Sequence, residues 1–332
     1  MQKTEVSVII PVYNSALYLK ECLDSLVRQT FPYFEAILVN DGSTDNSGAI
    51  CEEYCLRDSR IHVIHQNNKG VAEARNKAVE LATGNWMCFL DSDDTIELTF
   101  LEHLYEQCLK DVDFVMSNTN GERGIGVIKN AMVLEGNVMI NYILRNDILS
   151  LSGPCAKMFK SKIIQCHNIK FPVGISLGED MCFLIQYLNH CNRVSFLPIN
   201  EYNIRSHEGS LTTRYYSFES EMRCFNIWYA EIKKFVNRLN LPVHEEKELI
   251  WHNMTGITFI RCLECLYKAN HDKELYEKIN ILSSIDENLY GDFSIYYHPK
   301  RLSTKTMKWL VSHRMFPSFL FCGYFYMKMF GK

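Results

Sequence analysis

No stretch of this 332-residue chain reaches the ~20 uninterrupted apolar positions that cross a bilayer, which argues against an α-helical membrane span. A basic excess is missing too. Lys and Arg number 35 against 39 Asp and Glu, for a net charge of -4, and wholesale nucleic-acid binding normally needs the opposite balance. The first residues, MQKTEVSVII, lack the long apolar core and small-residue cleavage site of a signal peptide, so the expected compartment is the cytoplasm. The 13 cysteines form no framework: their number is odd, and Cys262-x-x-Cys265 has no second pair at zinc-ribbon spacing. They are expected to be buried thiols, Cys51 and Cys55 one helical turn apart among them. Phosphate-cradling glycines are also absent. Neither G-x-G-x-x-G nor G-x-x-x-x-G-K-S/T follows the first apolar run, which sets aside a dinucleotide-dependent dehydrogenase and a P-loop kinase. Finally, no acid follows Asp292, whereas Lys300, Arg301, Lys305, Lys308, Arg314, Lys328 and Lys332 do. The tail therefore carries about +7 and residues 1–292 about -11.

What is present reads as a folded α/β protein. Hydrophobic residues make up 47% and charged residues 22%, the balance of a globular chain. Four short apolar runs rich in β-branched and aromatic residues fit buried parallel strands: Val6–Val12, Ala36–Val39, Ile61–Ile64 and Trp86–Leu90. Between them lie helix-period segments, with Tyr18, Cys22 and Leu26 on one face and Ile50 and Tyr54 on another, then an alanine-rich helix from Ala72 to Leu81. Strand and helix alternating every ~25–30 residues give right-handed crossovers and a mostly parallel sheet flanked by helices. The middle is less regular. Gly121–Gly126 suits a variable loop, a helix is expected near Glu135–Arg145, and Ser152-Gly153-Pro154 breaks the chain. A further helix opens at Gly178-Glu179-Asp180 and runs to about Leu188, and Arg193–Asn203 holds one or two short strands. From Phe218 amphipathic helices take over, over 218–239 and 245–269. The expected boundary lies near residue 215, dividing a domain over 1–215 from a C-terminal helical region over 216–332.

Sheets of this kind bind ligands beyond the carboxyl ends of their strands, and here all four ends are polar. They read Pro11-Val12-Tyr13-Asn14, Asn40-Asp41-Gly42-Ser43-Thr44-Asp45, Gln66-Asn67-Asn68-Lys69-Gly70 and Asp91-Ser92-Asp93-Asp94. One Asp or Asn at such a place is a helix N-cap, the role Thr44 or Asp45 suits; four consecutive polar ends describe a cleft. Asp91-Ser92-Asp93-Asp94 at the end of an apolar strand suits Mg²⁺ or Mn²⁺, which take few protein carboxylates and share their remaining positions with phosphates. A solvated acidic turn looks the same. Asp41, followed by Gly42, can accept hydrogen bonds from a nucleobase or a ribose hydroxyl. Glu179-Asp180 at a helix start either answers the positive end of the helix or supplies a metal-free carboxylate able to take a proton from an attacking hydroxyl.

Taken together, Val6–Asn14, Asn40–Ser47, Asn68-Lys69-Gly70 with Ala74-Arg75-Asn76, Asp91–Asp94 and Gly178–Asp180 resemble a bacterial, non-processive family 2 inverting glycosyltransferase. The resemblance covers about residues 5–210. It implies a GT-A (Rossmann-like) fold and a nucleotide-sugar donor, most often UDP-linked, bound with Mn²⁺ or Mg²⁺. Its acceptor would be a glycan or lipid-linked oligosaccharide in surface polysaccharide synthesis. The implied nucleotide-sugar contacts are Pro11, Val12, Tyr13, Asn14, Asp41, Gly42, Asn68, Gly70, Asp91 and Ser92. Asp93 would be the principal metal carboxylate, near Asp91. Asp180 would be the general base, with Glu179 its neighbour at one of the sugars. Arg75 either touches the nucleotide or pairs with the strand-end carboxylates. Tyr202-x-x-Arg205-x-His207-x-x-Ser210 resembles the motif that closes the catalytic region, where Arg205 would stabilise departing charge and His207 would complete the metal shell or bond the diphosphate. Ala156-Lys157-Met158-Phe159-Lys160 resembles the approach to the acidic pair, although Cys155 stands near where the family often has an aromatic residue. The Q-x-x-R-W signature of processive synthases is absent.

Two other readings compete. Phe89-Leu90-Asp91-Ser92-Asp93-Asp94-Thr95 also fits the D-x-D-x-T pattern of a haloacid-dehalogenase-like phosphatase, but it follows the fourth strand and leaves Asn40–Asp45 unexplained. A catalytically silent nucleotide-sugar-binding protein would be expected to lack some of Asp41, Asp91, Asp93 and Asp180, all of which are present. The aromatic run Met315–Met327, flanked by Lys305, Lys308, Arg314 and Lys328, suits a bilayer interface. It predicts peripheral attachment through 303–332 to the inner face of the cytoplasmic membrane. The alternative is packing on its own domain or a homodimer through the C-terminal helices.

Overall fold

The structure, a computed structural model, describes residues 3–120, 126–151, 153–175, 177–205, 216–269, 273–299 and 302–330. The chain forms two compact units, Met1–Val173 with Glu179–Gly209, and Gly174–Gly178 with Ser210–Lys332. The first opens with the alternation read in the sequence: β1 (Val6–Val12), α1 (Leu19–Val27), β2 (Phe34–Asp41), α2 (Ser47–Arg57), β3 (Ile61–Gln66), α3 (Val71–Leu81) and β4 (Trp86–Phe89). β1 and β2 are buried along their whole length, because helices cover both faces of a parallel sheet and leave no solvent side to alternate toward.

The remainder of this unit consists of β5 (Thr95–Ile96), α4 (Phe100–Cys108), β6 (Phe114–Ser117), β7 (Met132–Glu135), α5 (Gly136–Arg145), β8 (Lys157–Lys160), α6 (Ser161–His167), α7 (Glu179–Leu188), β9 (Arg193–Leu197) and β10 (Tyr202–Asn203). The eight-stranded sheet runs β3-β2-β1-β4-β8-β6-β9-β7, and β10 pairs with β5 in a separate ribbon. β1 lies parallel to β2 and β4, while β8 is antiparallel to both β4 and β6. Because β8 runs opposite to β4, its amino end lies at the carboxyl end of β4, where Cys155 bridges to Phe89. Beneath that edge, Phe89 meets Phe159, Phe171 and Phe183 edge-on at 5.3–5.7 Å, and Phe171 stacks on Phe183 at 4.0 Å. Burying one such ring is worth ~1.5–3 kcal/mol, so this cluster anchors β4, β8 and α7 to one another.

The second unit is helical: α8 (Phe218–Asn237), α9 (Val243–Ile250), α10 (Gly256–Lys268), α11 (Leu275–Ser284), α12 (Glu287–Tyr296), α13 (Leu302–Ser312) and α14 (Phe316–Phe330). The single helix expected over 245–269 is broken. Asn253 and Met254 leave helical geometry, Met254 with φ of 62°. Close packing accompanies the break: a Cβ on Gly256 would lie 1.9 Å from the Tyr297 ring. Hydrophobic periodicity does not register such an interruption, because the apolar stripe continues on either side of it.

Candidate active site

The register of the parallel strands brings the polar ends together. Val12 lies opposite Asn40, and Ile9 opposite Phe89, so the segments after β1, β2 and β4 share one edge. Pro11 and Val12 are buried within β1, whereas Tyr13 and Asn14 beyond it are exposed. Asn14 turns the chain with φ of 47°. Its Oδ1 accepts the Thr44 N–H at 2.8 Å, while its own N–H donates to Ser43 Oγ at 3.1 Å. Asp45 accepts from the N–H groups of Ala16 and Ser47, tying the loops after β1 and β2 together. Burial would raise its carboxyl, but these donors and the Ser47 hydroxyl outweigh it and hold the group below the usual range.

Asp41 is 2% exposed and organises the third loop. One carboxylate oxygen accepts from Gln66 Nε2 and the Lys69 N–H, and the other from the Gly70 N–H, all at 2.8 Å. This draws Asn68 over Gly42. A Cβ on Gly42, whose φ is +70°, would stand 2.7 Å from the Asn68 nitrogen, so the close approach requires glycine. Asn68 and Gly70 remain exposed.

After β4, Asp94 is 5% exposed and accepts from the Tyr202 hydroxyl at 2.9 Å and the Arg205 N–H at 2.8 Å. Burial, then Asp91, push its carboxyl up to about 7 against those donors. Arg205 also donates through Nε to the Asp93 carbonyl, pairs with Glu21 and lies over the Tyr18 ring. His207 and Ser210 of the same motif, together with most of Gly121–Gly126, lie outside the described residues.

Arg75 on α3 joins the two acidic groups. Its guanidinium, 6% exposed, donates to Asp91 Oδ1 at 3.0 Å and Glu179 Oε1 at 3.2 Å, and sits over the Phe171 ring. Of the two roles open for Arg75, this geometry is the pairing with carboxylates. Burial disfavours its charge, but Asp91, Glu179 and Asp180 together outweigh that and keep it protonated. Glu179 rises to about 7, from burial first and then Asp180, with Arg75 pulling down. Asp180 is also raised by burial, against Arg75 and the Met181 N–H that its Oδ1 accepts at 2.7 Å. Its other oxygen faces Gly153, 3.9 Å from where a Cβ there would stand. One guanidinium therefore has Asp91 on one side and the Glu179-Asp180 pair on the other.

The family model described as glycosyl transferase family 2 matches residues 7–166. EpsH of Bacillus subtilis (strain 168), named as a glycosyltransferase, is 30% identical over 290 residues, covering 84% of this chain and 82% of its own. This chain belongs to glycosyl transferase family 2. The glycosyltransferase is also 30% identical over 208 residues to the poly(ribitol-phosphate) beta-N-acetylglucosaminyltransferase TarS of Staphylococcus aureus, covering 59% of this chain but 34% of that protein. The structure of TarS 1–349 in complex with UDP-GlcNAc matches it with a TM-score of 0.70 at 23% identity, over 98% of this chain and 92% of that one. The mannosyltransferase PcManGT from Pyrobaculum calidifontis, in complex with GDP-Man and Mn²⁺, matches with a TM-score of 0.54 at 15% identity, over 95% and 86% of the two chains. At these identities the likeness concerns the fold, which is GT-A. Family membership decides against the phosphatase alternative.

The donor set of the glycosyltransferase suits a hard divalent cation. Asp91 is about a third exposed, at 35%, and Asp93 is half-buried beside it. Burial first, and then the neighbouring Asp91, raise Asp94, and a cation would relieve the repulsion between the acids. Among the described residues no three His, Cys, Asp or Glu side chains converge to hold a metal unaided, so such an ion would lean on ligand phosphates.

Three residues that the resemblance names without giving them a role shape the site. Tyr202 locks Asp94 and also accepts the Asp91 N–H at 3.1 Å. Cys155, where an aromatic was anticipated, places Sγ 3.5 Å from Asp91 Oδ2. Lys157, 2% exposed, donates to the carbonyls of Gly153 at 2.6 Å and Cys155 at 3.0 Å, across Ala156 with φ of 58°. Burial lowers the Lys157 ammonium to about 8, with Cys155 and Asp180 opposing. The one signal in the sequence was a lysine opening an apolar strand, where a charge needs buried partners.

Proposed function

We propose that the protein moves a hexose or N-acetylhexosamine from a UDP-sugar to a hydroxyl of a glycan or lipid-linked acceptor in surface polysaccharide synthesis, inverting the anomeric centre. The observation that carries this reading is the Arg75 bridge, which unites the Asp91 end of β4 with the Glu179-Asp180 pair. The UDP-GlcNAc complex of TarS supports the donor, and the name of TarS supports a polymer acceptor.

Tyr13, Asn14 and the loop organised by Asp41 and Gly42 would receive the nucleoside, with Asn68 and Gly70 beside it and Asp91 and Ser92 toward the ribose. Asp93, with Asp91, would hold Mn²⁺ or Mg²⁺, which supplies positive charge to a departing diphosphate. The acceptor oxygen attacks the anomeric carbon while its proton passes to Asp180. The bond from that carbon to the diphosphate oxygen breaks, and its electron pair leaves with UDP. Bond-breaking runs ahead of bond-making, as in other glycosyl transfers. A raised Asp180 is matched to this task, since a base works best with a pKa near the operating pH. Arg75 holds Asp91 and Glu179 in place and keeps these two acids from repelling Asp180 unopposed.

General-base assistance contributes ~10²–10⁴-fold, so Asp180→Asn loses turnover by that factor and keeps its thermal stabilisation by UDP with Mn²⁺. Near wild-type turnover in Asp180→Asn overturns the base assignment. A wild-type protein that UDP and Mn²⁺ leave unstabilised overturns the donor site.

A further inference from the structure

The thirteen-residue aromatic run near the end of the chain is split by the fold. Phe316, Phe319 and Leu320 on α14 are buried, and a Cβ on Gly323 would lie 2.4 Å from the Tyr267 ring of α10. This inner stripe is fully explained by packing within its own unit. The outer stripe is not. Phe321 is 71% exposed, Tyr324 57% and Phe325 54%, and positions i, i+3 and i+4 share one helix face. Phe321 and Phe325 stack in parallel at 6.4 Å, and exposed Lys328 continues the row one turn on. On α13, exposed Lys305 and Trp309 repeat the pattern one turn apart, the indole 53% exposed and tilted against the His313 ring at 4.6 Å. Aromatic rings cost solubility when contiguous and exposed, and such patches on soluble proteins mark interaction surfaces.

Charge identifies the occupant. The 40 residues after Asp292 hold seven basic residues and no acid. Among the described residues, Arg314 is spent on Glu287 at 2.9 Å and Lys308 is half-buried, while Lys305 and Lys328 are exposed beside the rings. We propose that the outer face of α13 and α14 is a docking surface for an anionic lipid bilayer. Rings with an apolar body enter the boundary between headgroups and acyl chains while the lysines meet lipid phosphates. The inference is independent of the sugar-transfer reading and concerns the second unit alone.

The test is flotation of the full-length protein with vesicles of phosphatidylglycerol and phosphatidylcholine, and with phosphatidylcholine alone. Wild type floats with the anionic vesicles and is released by salt. Lys305→Gln with Lys328→Gln weakens binding ~10–30-fold, since each basic residue near anionic lipid is worth about fivefold. Phe321→Ser with Tyr324→Ser and Phe325→Ser abolishes binding and, the side chains being exposed, keeps the thermal midpoint. Trp86, Trp228 and Trp251 are buried, so bilayer quenchers dim the emission of Trp309. Absence of wild-type flotation, equal flotation of the aromatic variant, or an aromatic variant that binds vesicles normally but turns a dimer into a monomer overturns the proposal. The last result assigns the face to a second copy. Should the aromatic variant not fold, the lysine pair decides: unchanged affinity overturns the proposal.

Discussion

Replacing Arg75 with methionine removes one guanidinium from between two carboxylates while roughly keeping its volume. Arg75 is 6% exposed and Glu179 11%, whereas Asp91 is 35% exposed, so solvent screens the Asp91 contact and the Glu179 contact dominates. Breaking a buried pair by deleting one partner costs ~3–5 kcal/mol. With one arm discounted for exposure, the expected loss is ~3 kcal/mol at about pH 8. The loss depends on pH in a definite direction. Glu179 titrates at about 7 in the folded protein, above its unfolded value of 4.5. A carboxyl raised by folding stabilises the native state while protonated, below its unfolded pKa. That contribution is lost as pH climbs from 4.5 through about 7. Without Arg75, which holds Glu179 down, the group protonates still more readily, so acid neutralises the stranded charge. At about pH 5.5 the loss should shrink to ~1–1.5 kcal/mol. Urea titrations read by hydrogen exchange of β1 and β4 peptides follow the first unit alone. A loss below ~1 kcal/mol at about pH 8, or one that grows on acidification, refutes the assignment of Arg75 as charge partner.

Three further outcomes follow from the same geometry. Transfer rate falls on acidification with a midpoint above the usual carboxylate range, because the Glu179-Asp180 pair is raised by burial and must lose a proton before Asp180 can accept one. Glu179→Gln lowers that midpoint, and a pH-independent rate contradicts the pairing. Gly42→Ala meets the Asn68 nitrogen at 2.7 Å with φ of +70°, so it should cost ~1–3 kcal/mol in denaturant titrations and weaken UDP binding; unchanged values refute the tight approach. Lys157→Met leaves the carbonyls of Gly153 and Cys155 without their donor, at a cost of ~1–3 kcal/mol. Peptide mapping should then find Cys155 alkylated faster, and an unchanged rate speaks against the clamp.

The first four strands were legible because their apolar runs are short and β-branched, and β1 was read to its ends, whereas β5 to β8 were not read as strands. The helix expected over 245–269 was not, since the turn at Met254 leaves the apolar stripe intact. The acids at Asp91–Asp94 and Glu179-Asp180 stood out by their place after a strand and before a helix. The roles of Arg75, Cys155 and Tyr202 did not, for each depends on a neighbour far along the chain, and that of Lys157 did not because it depends on burial. Arg75 and Glu179 are 104 positions apart, and Tyr202 and Asp94 are 108.

Local pattern alone settled the first four strands with the helices between them, the polar character of their carboxyl ends and the family that the chain resembles, because those follow from residue spacing. Only the tertiary structure decided which acids share a guanidinium, which carboxylate is spent on backbone N–H groups and which half of the terminal aromatic run faces water. Those outcomes depend on burial and on distances across chain crossings, which periodicity does not encode.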